Sequence, residues 1–428
     1  MKKVRFYTFG CKVNQYDTQM MRTVVSSKFD VVDNDCADIY IVNTCSVTAE
    51  SERKARQLIR KINKEHPDSK IIVVGCYPQY SIVELKDMKC ISAILSHLGK
   101  KNIIEYIERI DTSEEPLVVT GEVPDEFWDL PIREFSGHTR AFIKIEDGCD
   151  NNCSYCVVPI VRGKPVSRPF DSVLNEIKIL EEKGVKEIVL TGIRLGRYSY
   201  DGMMLSDLVE KVLNNTAIPR IRMSSIELYD IDSNLIELLE KEERLCKHLH
   251  IPLQSGSDKI LKLMNRKYSY EGYRERTFYL KKRVASLNLT TDIIVGFPGE
   301  RDEDFQRSVS AVEEIGFGRV HIFSFSARDK TSANCLAYKL PREIIKKRAS
   351  ILRNKALLTT RRFKEKFINT VMSVLIEAKT DSSHSYLQGF TTNYIRVKID
   401  YNEVLIGKLI NVRLLNIIND NIYGKEVW

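Results

Sequence analysis

Short apolar runs alternate with longer amphipathic stretches from the first residues to about residue 330. In the first third, Val4–Phe9, Ile39–Thr44 and Lys70–Gly75 read as strands, with helices at Gln15–Val25 and Ala49–Glu65. That alternation predicts a small parallel α/β sheet. Asn102–Arg109 reads as a last helix. Asp111–Pro116 and Pro124–Pro131 carry charge and proline without periodicity and read as a linker. The rhythm resumes at Thr139, with strands expected at Ala141–Glu146, Glu187–Thr191, Arg220–Ser225, His248–Leu253, Thr290–Val295 and Arg319–Ser324. Helices fit between most of them, at Asp171–Lys183, Ser206–Asn214, Ser233–Glu242, Glu271–Leu287 and Asp302–Ile315. These six units are too few residues for an eight-unit barrel, which takes about 250. An open six-unit partial barrel is expected, with a doubly wound open sheet as the alternative.

The pattern then changes twice. Lys339–Phe367 reads as a long amphipathic helix with Ile344, Ile345, Leu352, Ala356 and Phe363 on one face. From Thr370 onward, Val371–Glu377, Tyr386–Gln388, Tyr394–Lys398, Leu409–Leu415 and Ile422–Val427 read as short strands separated by turn residues. They predict a small β-barrel.

Composition sharpens this picture in two places. The 428 residues suffice for two or three domains, and 43% apolar with 29% charged residues is a soluble globular balance. No apolar run approaches the ~18–20 residues needed to span a bilayer, and no signal-peptide pattern is visible. A cytoplasmic location without membrane contact is therefore expected. In that reducing setting ten cysteines are ligands, redox groups or small buried hydrophobes rather than disulfides. The net charge is +8, yet Lys339–Lys366 alone holds eleven Lys or Arg against two Glu. The basic character is local. It points to a phosphate backbone, with a solvated helix face as the plain alternative.

The candidate chemistry lies in the cysteines. Cys149, Cys153 and Cys156 follow the first barrel strand in a segment that Pro159, Arg162, Gly163 and Pro165 mark as loop. Structural zinc wants four protein ligands, and neither a second CxxC nor a nearby histidine supplies the fourth. A cubane iron–sulfur cluster on three thiolates leaves one iron free for a ligand. Cys11, Cys45 and Cys76 each end a predicted strand, and in a parallel sheet those ends share one edge. The three are expected to meet in space. Cys36, Cys90, Cys246 and Cys335 lack such placement and read as structural. The other barrel strands end in Thr191-Gly192, Ser225-Ile226-Glu227, Leu253-Gln254-Ser255-Gly256 and Val295-Gly296-Phe297-Pro298-Gly299-Glu300. These small, polar or acidic groups suit a polar cofactor, although each alone is also ordinary loop punctuation.

The spacing Cys149-x3-Cys153-x2-Cys156, with Tyr155 before the last cysteine, resembles that of the radical S-adenosylmethionine enzymes. Gly10-Cys11-Lys12-Val13-Asn14, Asn43-Thr44-Cys45 and Gly75-Cys76 resemble the amino-terminal domain of the methylthiotransferases. So do Val166-Ser167-Arg168-Pro169, Ser224-Ser225-Ile226-Glu227, Pro252–Ser257 and Asp292–Glu300 in the barrel. The family often has a tyrosine where Ile160 stands.

The resemblance implies two 4Fe-4S clusters and S-adenosylmethionine. Cys149, Cys153 and Cys156 would hold the radical-generating cluster, and Cys11, Cys45 and Cys76 an auxiliary one. Tyr155, Thr191, Gly192, Ser225, Glu227 and Gln254 would lie around the cofactor. It also implies an auxiliary-cluster domain over 1–130, a radical core over 135–366 and an RNA-binding TRAM domain over 367–428. In that last domain Tyr386, Phe390, Tyr394 and Arg396 would stack on or hold unpaired bases, with core packing the plain alternative for any single aromatic.

Gly10–Thr18, Phe142–Cys149 and Gly389–Val397 look most like the branch acting on N6-threonylcarbamoyladenosine in tRNA. That branch would methylthiolate C2 of the base beside the anticodon. The implied partners are the anticodon stem-loop of tRNA, an electron donor such as flavodoxin or ferredoxin, and a sulfur donor. The alternatives are the branches acting on isopentenyladenosine in tRNA or on an aspartate of a ribosomal protein. A non-catalytic, metal-stabilised RNA-binding protein is the alternative from another class.

Overall fold

The computed structural model describes every residue except 34–35, 131, 133–134, 136–138, 381–384 and 428, and residues 378–380 by backbone alone. Pro131, the expected end of the linker, therefore lies outside the described residues. The N-terminal sheet has six parallel strands in the order Asp30–Val31, Lys3–Thr8, Ile39–Thr44, Lys70–Gly75, Ala93–Leu95 and Leu117–Val119. Its central strands are buried on both faces, Ile39, Tyr40, Ile41 and Val42 all among them, which is why they read as unbroken apolar runs. Ala93–Leu95 and Leu117–Val119 were not expected. Three residues are too few to show a period, and the second lies between the two stretches read as linker. The first helix spans Lys12–Val25, three residues earlier than expected, and starts directly after Cys11.

Ala141–Lys144, Glu187–Thr191 and Arg220–Met223 form one parallel sheet, and His248–His250, Asn288–Val295 and Arg319–Ser324 another. Parallel bridges from Ile221 to Leu245 and from Ser225 to His250 join the two. The result is the open six-stranded partial barrel, with a seam between its first and last strands. The helices lie outside, at Phe170–Glu182, Leu205–Asn215, Ser233–Lys241, Tyr270–Arg283 and Asp302–Ile315. The fourth was expected to reach Leu287, but Val284 leaves the helical region at φ −105°, ψ 106°. Ile188, Leu190, Ile221, Met223, Leu249 and Leu289 pack outward into the largest core. Strand alternation then turns the intervening residues inward. Arg140, Glu187, Arg222, His248, His250, Thr290, Asp292 and His321 make the lumen polar.

The first helix closes on the seam. The Tyr16 hydroxyl donates to Glu176 at 3.0 Å and accepts from Arg168 at 3.0 Å, while Asp17 pairs with Lys144 at 2.7 Å. The basic helix, Arg342–Glu365, buries Ala349, Leu352, Ala356, Thr359 and Phe363. Ile345 packs where a side chain on Gly296 would stand. Ile344 does not join it: 100° per residue turns it to solvent, where it is 40% exposed. Some of the basic charge is neutralised inside the molecule, since Arg348 pairs with Asp302 and Glu300, and Lys355 with Glu313.

The last strands form a closed barrel in the order Val371–Thr380, Tyr386–Thr391, Arg396–Asp400, Asn421–Glu426 and Leu409–Ile418. It stoppers the larger barrel. Arg222 pairs with Glu187 at 2.7 Å and donates to the Thr391 and Thr392 carbonyls at 3.2 and 3.0 Å. Tyr394, at φ 63°, stacks on His248 and Phe390 with ring centroids 4.6 and 4.7 Å apart, below the Arg222 guanidinium at 4.8 Å. Of the two readings of this residue, stacking on bases and core packing, the structure shows the second, with the ring stacked on lumen-floor side chains. Arg396 is exposed, and Tyr386 packs edge-on against Tyr423.

Replacing Arg222 by alanine removes the closest partner of the buried Glu187 carboxylate, leaving Arg220 and Arg140 at 3.5 and 3.8 Å, and takes a donor from the Thr391 and Thr392 carbonyls. Breaking a buried pair costs about 3–5 kcal/mol when the remaining charge is left alone, which sets the upper bound here. The expected result is a lower thermal midpoint and faster proteolysis between the basic helix and the small barrel; an unchanged melt would refute the stopper as a structural joint.

Candidate functional site

The Gly148–Cys156 loop begins with a turn that only glycine allows. Gly148 has φ +86°, and a Cβ there would lie 2.0 Å from the Lys164 carbonyl oxygen. Each sulfur in the loop accepts one N–H: Cys149 from the Asn151 amide at 3.4 Å, Cys156 from the Val158 amide at 3.4 Å, and Cys153 from the Arg266 guanidinium at 3.5 Å. Burial pushes the Cys149 thiol up to about 11 and Cys156 to about 12, and the neighbouring cysteines add to both shifts. Three mutually repelling thiolates need a cationic partner.

The expected cofactor residues ring this loop at the carboxyl ends of the strands. Thr191 is buried at its strand's end, and its carbonyl accepts from the Ile145 amide at 2.9 Å. A Cβ on Gly192 would stand 2.7 Å from Glu146 Oε2. Ser225 bridges to His250, and Gln254, at φ 69°, bridges to Ile293 on the neighbouring strand. Tyr155 packs edge-on against Phe297 at 6.3 Å. Glu227 pairs with Arg266, which connects it to Cys153.

Two residues of this ring were not anticipated. Arg266 lies among turn-like residues and carries no sequence signal. Glu146 was read as part of a strand and of the Phe142–Cys149 motif, with no role of its own. Its Oε2 accepts from the Arg194 amide at 2.8 Å, its Oε1 is buried without a partner, and burial pushes its carboxyl up to about 8. The Ser224 hydroxyl is likewise buried and unpartnered.

Cys11, Cys45 and Cys76 come together at the sheet edge. Cys45 and Cys76 are buried, and Cys11 is exposed at the start of the first helix. A Cβ on Gly10, φ +107°, would lie 2.7 Å from Cys45 Cβ and 3.1 Å from its sulfur. Asn14 ties the three loops: its Nδ2 donates to the Phe9 and Thr44 carbonyls at 2.8 and 3.0 Å, and its Oδ1 accepts from Cys76 Sγ at 3.9 Å. Burial pushes the Cys45 thiol up to about 12 and Cys76 upward as well, with Arg162 and Lys100 opposing at Cys76.

A short helix, Val158–Arg162, separates the two triads. Its Val161 and the preceding Val157 pack directly on Cys76 and Tyr80. Its last residue, Arg162, binds both Asp147 oxygens at 2.9 and 2.8 Å, Asp17 at 3.1 Å, and the Asn14 side chain. Burial works to raise the Asp17 carboxyl, but Lys100, Lys144 and Arg162 hold it well below the usual range. An open groove of about 830 Å³ runs past Cys149, Asp150, Asn152, Ile160 and Lys164. Ile160, 38% exposed, presents an aliphatic side chain there.

Among the described residues, no three Cys, His, Asp or Glu converge on a single metal ion. A cubane cluster makes a different demand, since each thiolate takes its own iron and the sulfurs stand apart. The donor set suits it: two groups of three free cysteines, with Glu146, whose Oε1 is unpartnered, among the charges acting on Cys149.

Residues 143–312 match the radical SAM superfamily, and residues 3–96 match the uncharacterized protein family UPF0004. The radical S-adenosylmethionine methyltransferase TsrM from Kitasatospora setae shares the fold, with a TM-score of 0.57 at 16% identity over 78% of this chain and 74% of that one. The partial barrel is thus that of a radical SAM enzyme. The threonylcarbamoyladenosine tRNA methylthiotransferase MtaB of Thermotoga maritima is 36% identical over 99% of this chain and 96% of its own. MtaB of Bacillus subtilis is 33% identical over 97% and 94%. The tRNA-2-methylthio-N(6)-dimethylallyladenosine synthase of Thermodesulfovibrio yellowstonii is 34% identical over 96% of each. The chain belongs to the methylthiotransferase family of radical SAM enzymes.

Arg266 places a positive charge and a hydrogen bond on Cys153. Replacing it by glutamine should lower the reduction potential of a cluster bound there by roughly 50 mV, the one-electron equivalent of a hydrogen bond worth about 1 kcal/mol. An EPR-monitored redox titration checks this, and an unchanged or raised potential would exclude the role.

Proposed function

We propose that this enzyme inserts a methylthio group at C2 of N6-threonylcarbamoyladenosine beside the anticodon of tRNA. One observation carries the reading: one short helix, Val158–Arg162, starts two residues after Cys156, packs through Val161 on Cys76 of the other triad, and lines an open groove together with Cys149. A single triad would serve any radical chemistry; the adjacent pair suits sulfur insertion. In this reading residues 1–130, 135–366 and 367–428 are the auxiliary-cluster domain, the radical core and the RNA-binding domain. Names of relatives from two tRNA branches support RNA as the substrate class, and their identities, 36% and 34%, are too close to choose between the branches. The choice rests on the motifs Gly10–Thr18, Phe142–Cys149 and Gly389–Val397.

The division of labour in this reading follows the family resemblance. Cys149, Cys153 and Cys156 would hold one 4Fe-4S cluster, and Cys11, Cys45 and Cys76 the other. When bound, these groups supply reducing electrons to S-adenosylmethionine and a place for the transferable sulfur. Glu146 and Ser224, with Thr191, Gly192, Ser225, Glu227, Gln254 and Tyr155, would orient the cofactor's amine, carboxylate and ribose. Its methionine amine is the natural partner for the orphaned Glu146 oxygen. The groove is of a size that admits an unstacked base, which a target inside the anticodon loop must become. Those charges of the basic helix left unpaired by Glu300, Asp302 and Glu313 would meet the phosphate backbone. An electron donor such as flavodoxin or ferredoxin and a sulfur donor complete the cycle, in the cytoplasm.

Cys153→Ala should abolish cleavage of S-adenosylmethionine, whereas Cys45→Ala should spare cleavage and stop product formation. Product from the Cys45 variant would remove the second cluster from the reading. For the substrate, nucleoside mass spectrometry of tRNA from a deletion strain should show N6-threonylcarbamoyladenosine without its methylthio derivative. A loss confined to the dimethylallyl nucleoside would transfer the enzyme to that branch.

A further inference from the structure

Residues 325–341 connect the last barrel strand to the basic helix, and they run against both cysteine groups on the way. On one side they grip the N-terminal domain. Ser326 Oγ accepts from the Ala49 amide at 3.2 Å. The Arg328 guanidinium donates to Glu52 Oε2 and to Ser46 Oγ, each at 3.1 Å, and also binds Glu52 Oε1. Ser46, the residue after Cys45, donates to the same carboxylate at 2.5 Å. The guanidinium lies over the Tyr80 ring, 4.2 Å from its centroid, and Lys330 Nζ donates to the Tyr80 carbonyl at 2.7 Å. Tyr80 closes the short helix that Cys76 opens, and it packs with that cysteine.

On the other side the same segment grips the Gly148–Cys156 loop. The Ala333 amide donates to the Ser154 carbonyl at 2.8 Å, and the Ser332 hydroxyl joins it at 3.4 Å. Ser154 follows Cys153, and its own amide and hydroxyl donate to the Met264 and Leu263 carbonyls at 3.1 and 2.7 Å. Between the two grips, the Thr331 amide and hydroxyl both donate to the Arg328 carbonyl, at 2.9 and 2.7 Å. The span from Arg328 to Ala333 is therefore a hydrogen-bonded turn of fixed length.

Arg328 and Glu52 are both buried. A buried ion pair is a poor source of stability, because desolvating two charges offsets their attraction. It is a good source of register, because a shift that parted the pair would leave both charges buried and alone. Two guanidinium nitrogens meet the two carboxylate oxygens, so the pair sets orientation as well as distance. The Val158–Arg162 helix already relates Cys156 to Cys76; this strap relates Cys153 to Cys45.

We propose that Arg328 is a positioning residue for sulfur insertion: through Ser46, Glu52 and the turn to Ala333 it holds the Cys45 loop and the Cys153 loop at one spacing. The inference rests on the proposed assignment of the two triads and adds to it a residue that acts only through the loops carrying them.

The test uses the cluster-loaded wild type, R328Q, E52Q and the double variant. Each is assayed for 5′-deoxyadenosine and for methylthiolated stem-loop, and each is studied fully reduced by pulsed EPR for the spin–spin interaction between its clusters. R328Q and E52Q should cleave S-adenosylmethionine nearly as fast as the wild type. They should release at least about tenfold more 5′-deoxyadenosine per product, since a misplacement of about 1 Å costs up to about a hundredfold. The double variant should be no worse than either single one, because the two residues act as a unit. The spin–spin interaction should spread over a wider range in all three variants. A fall of cleavage and product in equal proportion, with that interaction unchanged, would make the strap a general brace and overturn the proposal. If R328Q does not take up iron, R328K, which keeps the charge without the fork, is read by the same two measurements. A wild type holding about four irons in place of about eight would instead remove the two-triad reading on which the inference rests.

Discussion

A single buried carboxylate organises the centre of the molecule. Asp17 lies on the first helix of the N-terminal domain, and its oxygens meet Lys100 of the same domain, Lys144 on the first barrel strand and Arg162 at the end of the helix between the triads. Three cations around two carboxylates, Asp17 and Asp147, would be expensive if any were left alone. Together they are mutually satisfied, and they fix three elements at once. The N-terminal sheet, the barrel and the Val158–Arg162 helix have one mutual arrangement in which all these charges are paired. The triads inherit their separation from it, because Cys76 and Cys156 are each attached to an element that this cluster holds.

The two cysteine groups differ in setting in a way that suits different work. Cys149, Cys153 and Cys156 sit in a loop whose sulfurs each accept one N–H and which opens on the groove. Cys45 and Cys76 are enclosed, with only Cys11 reaching the surface. A small ligand approaching the second group must therefore come from the Cys11 side. Positional control of this kind comes from packing rather than from the metal chemistry, which is similar at both sites.

Much of this was readable from the chain. The barrel strands begin within two residues of their expected starts because each is an apolar run closed by turn residues. The three distant cysteines were placed together by a rule about strand ends, and the structure does bring them together at one edge. What escaped was of two kinds. Ala93–Leu95 and Leu117–Val119 are too short to carry a period. Arg162, Asp17, Glu146 and Arg266 act through partners remote in sequence, so nothing near them announces the contact. The lumen is an intermediate case. Its alternating polar residues were present in strands already recognised, but they were read as ends rather than as faces. Tyr394, for which base stacking and core packing were both open, is committed to internal stacking.

That tyrosine has a further consequence. Because Tyr394 and the carbonyls around it plug the barrel floor, the small C-terminal barrel is not a tethered module free to swing on a linker. It is bolted to the catalytic body at a fixed span from the lumen mouth. Its outer surface is therefore held at a set distance from the lumen mouth, and the two barrels present one fixed outline to any substrate that touches both.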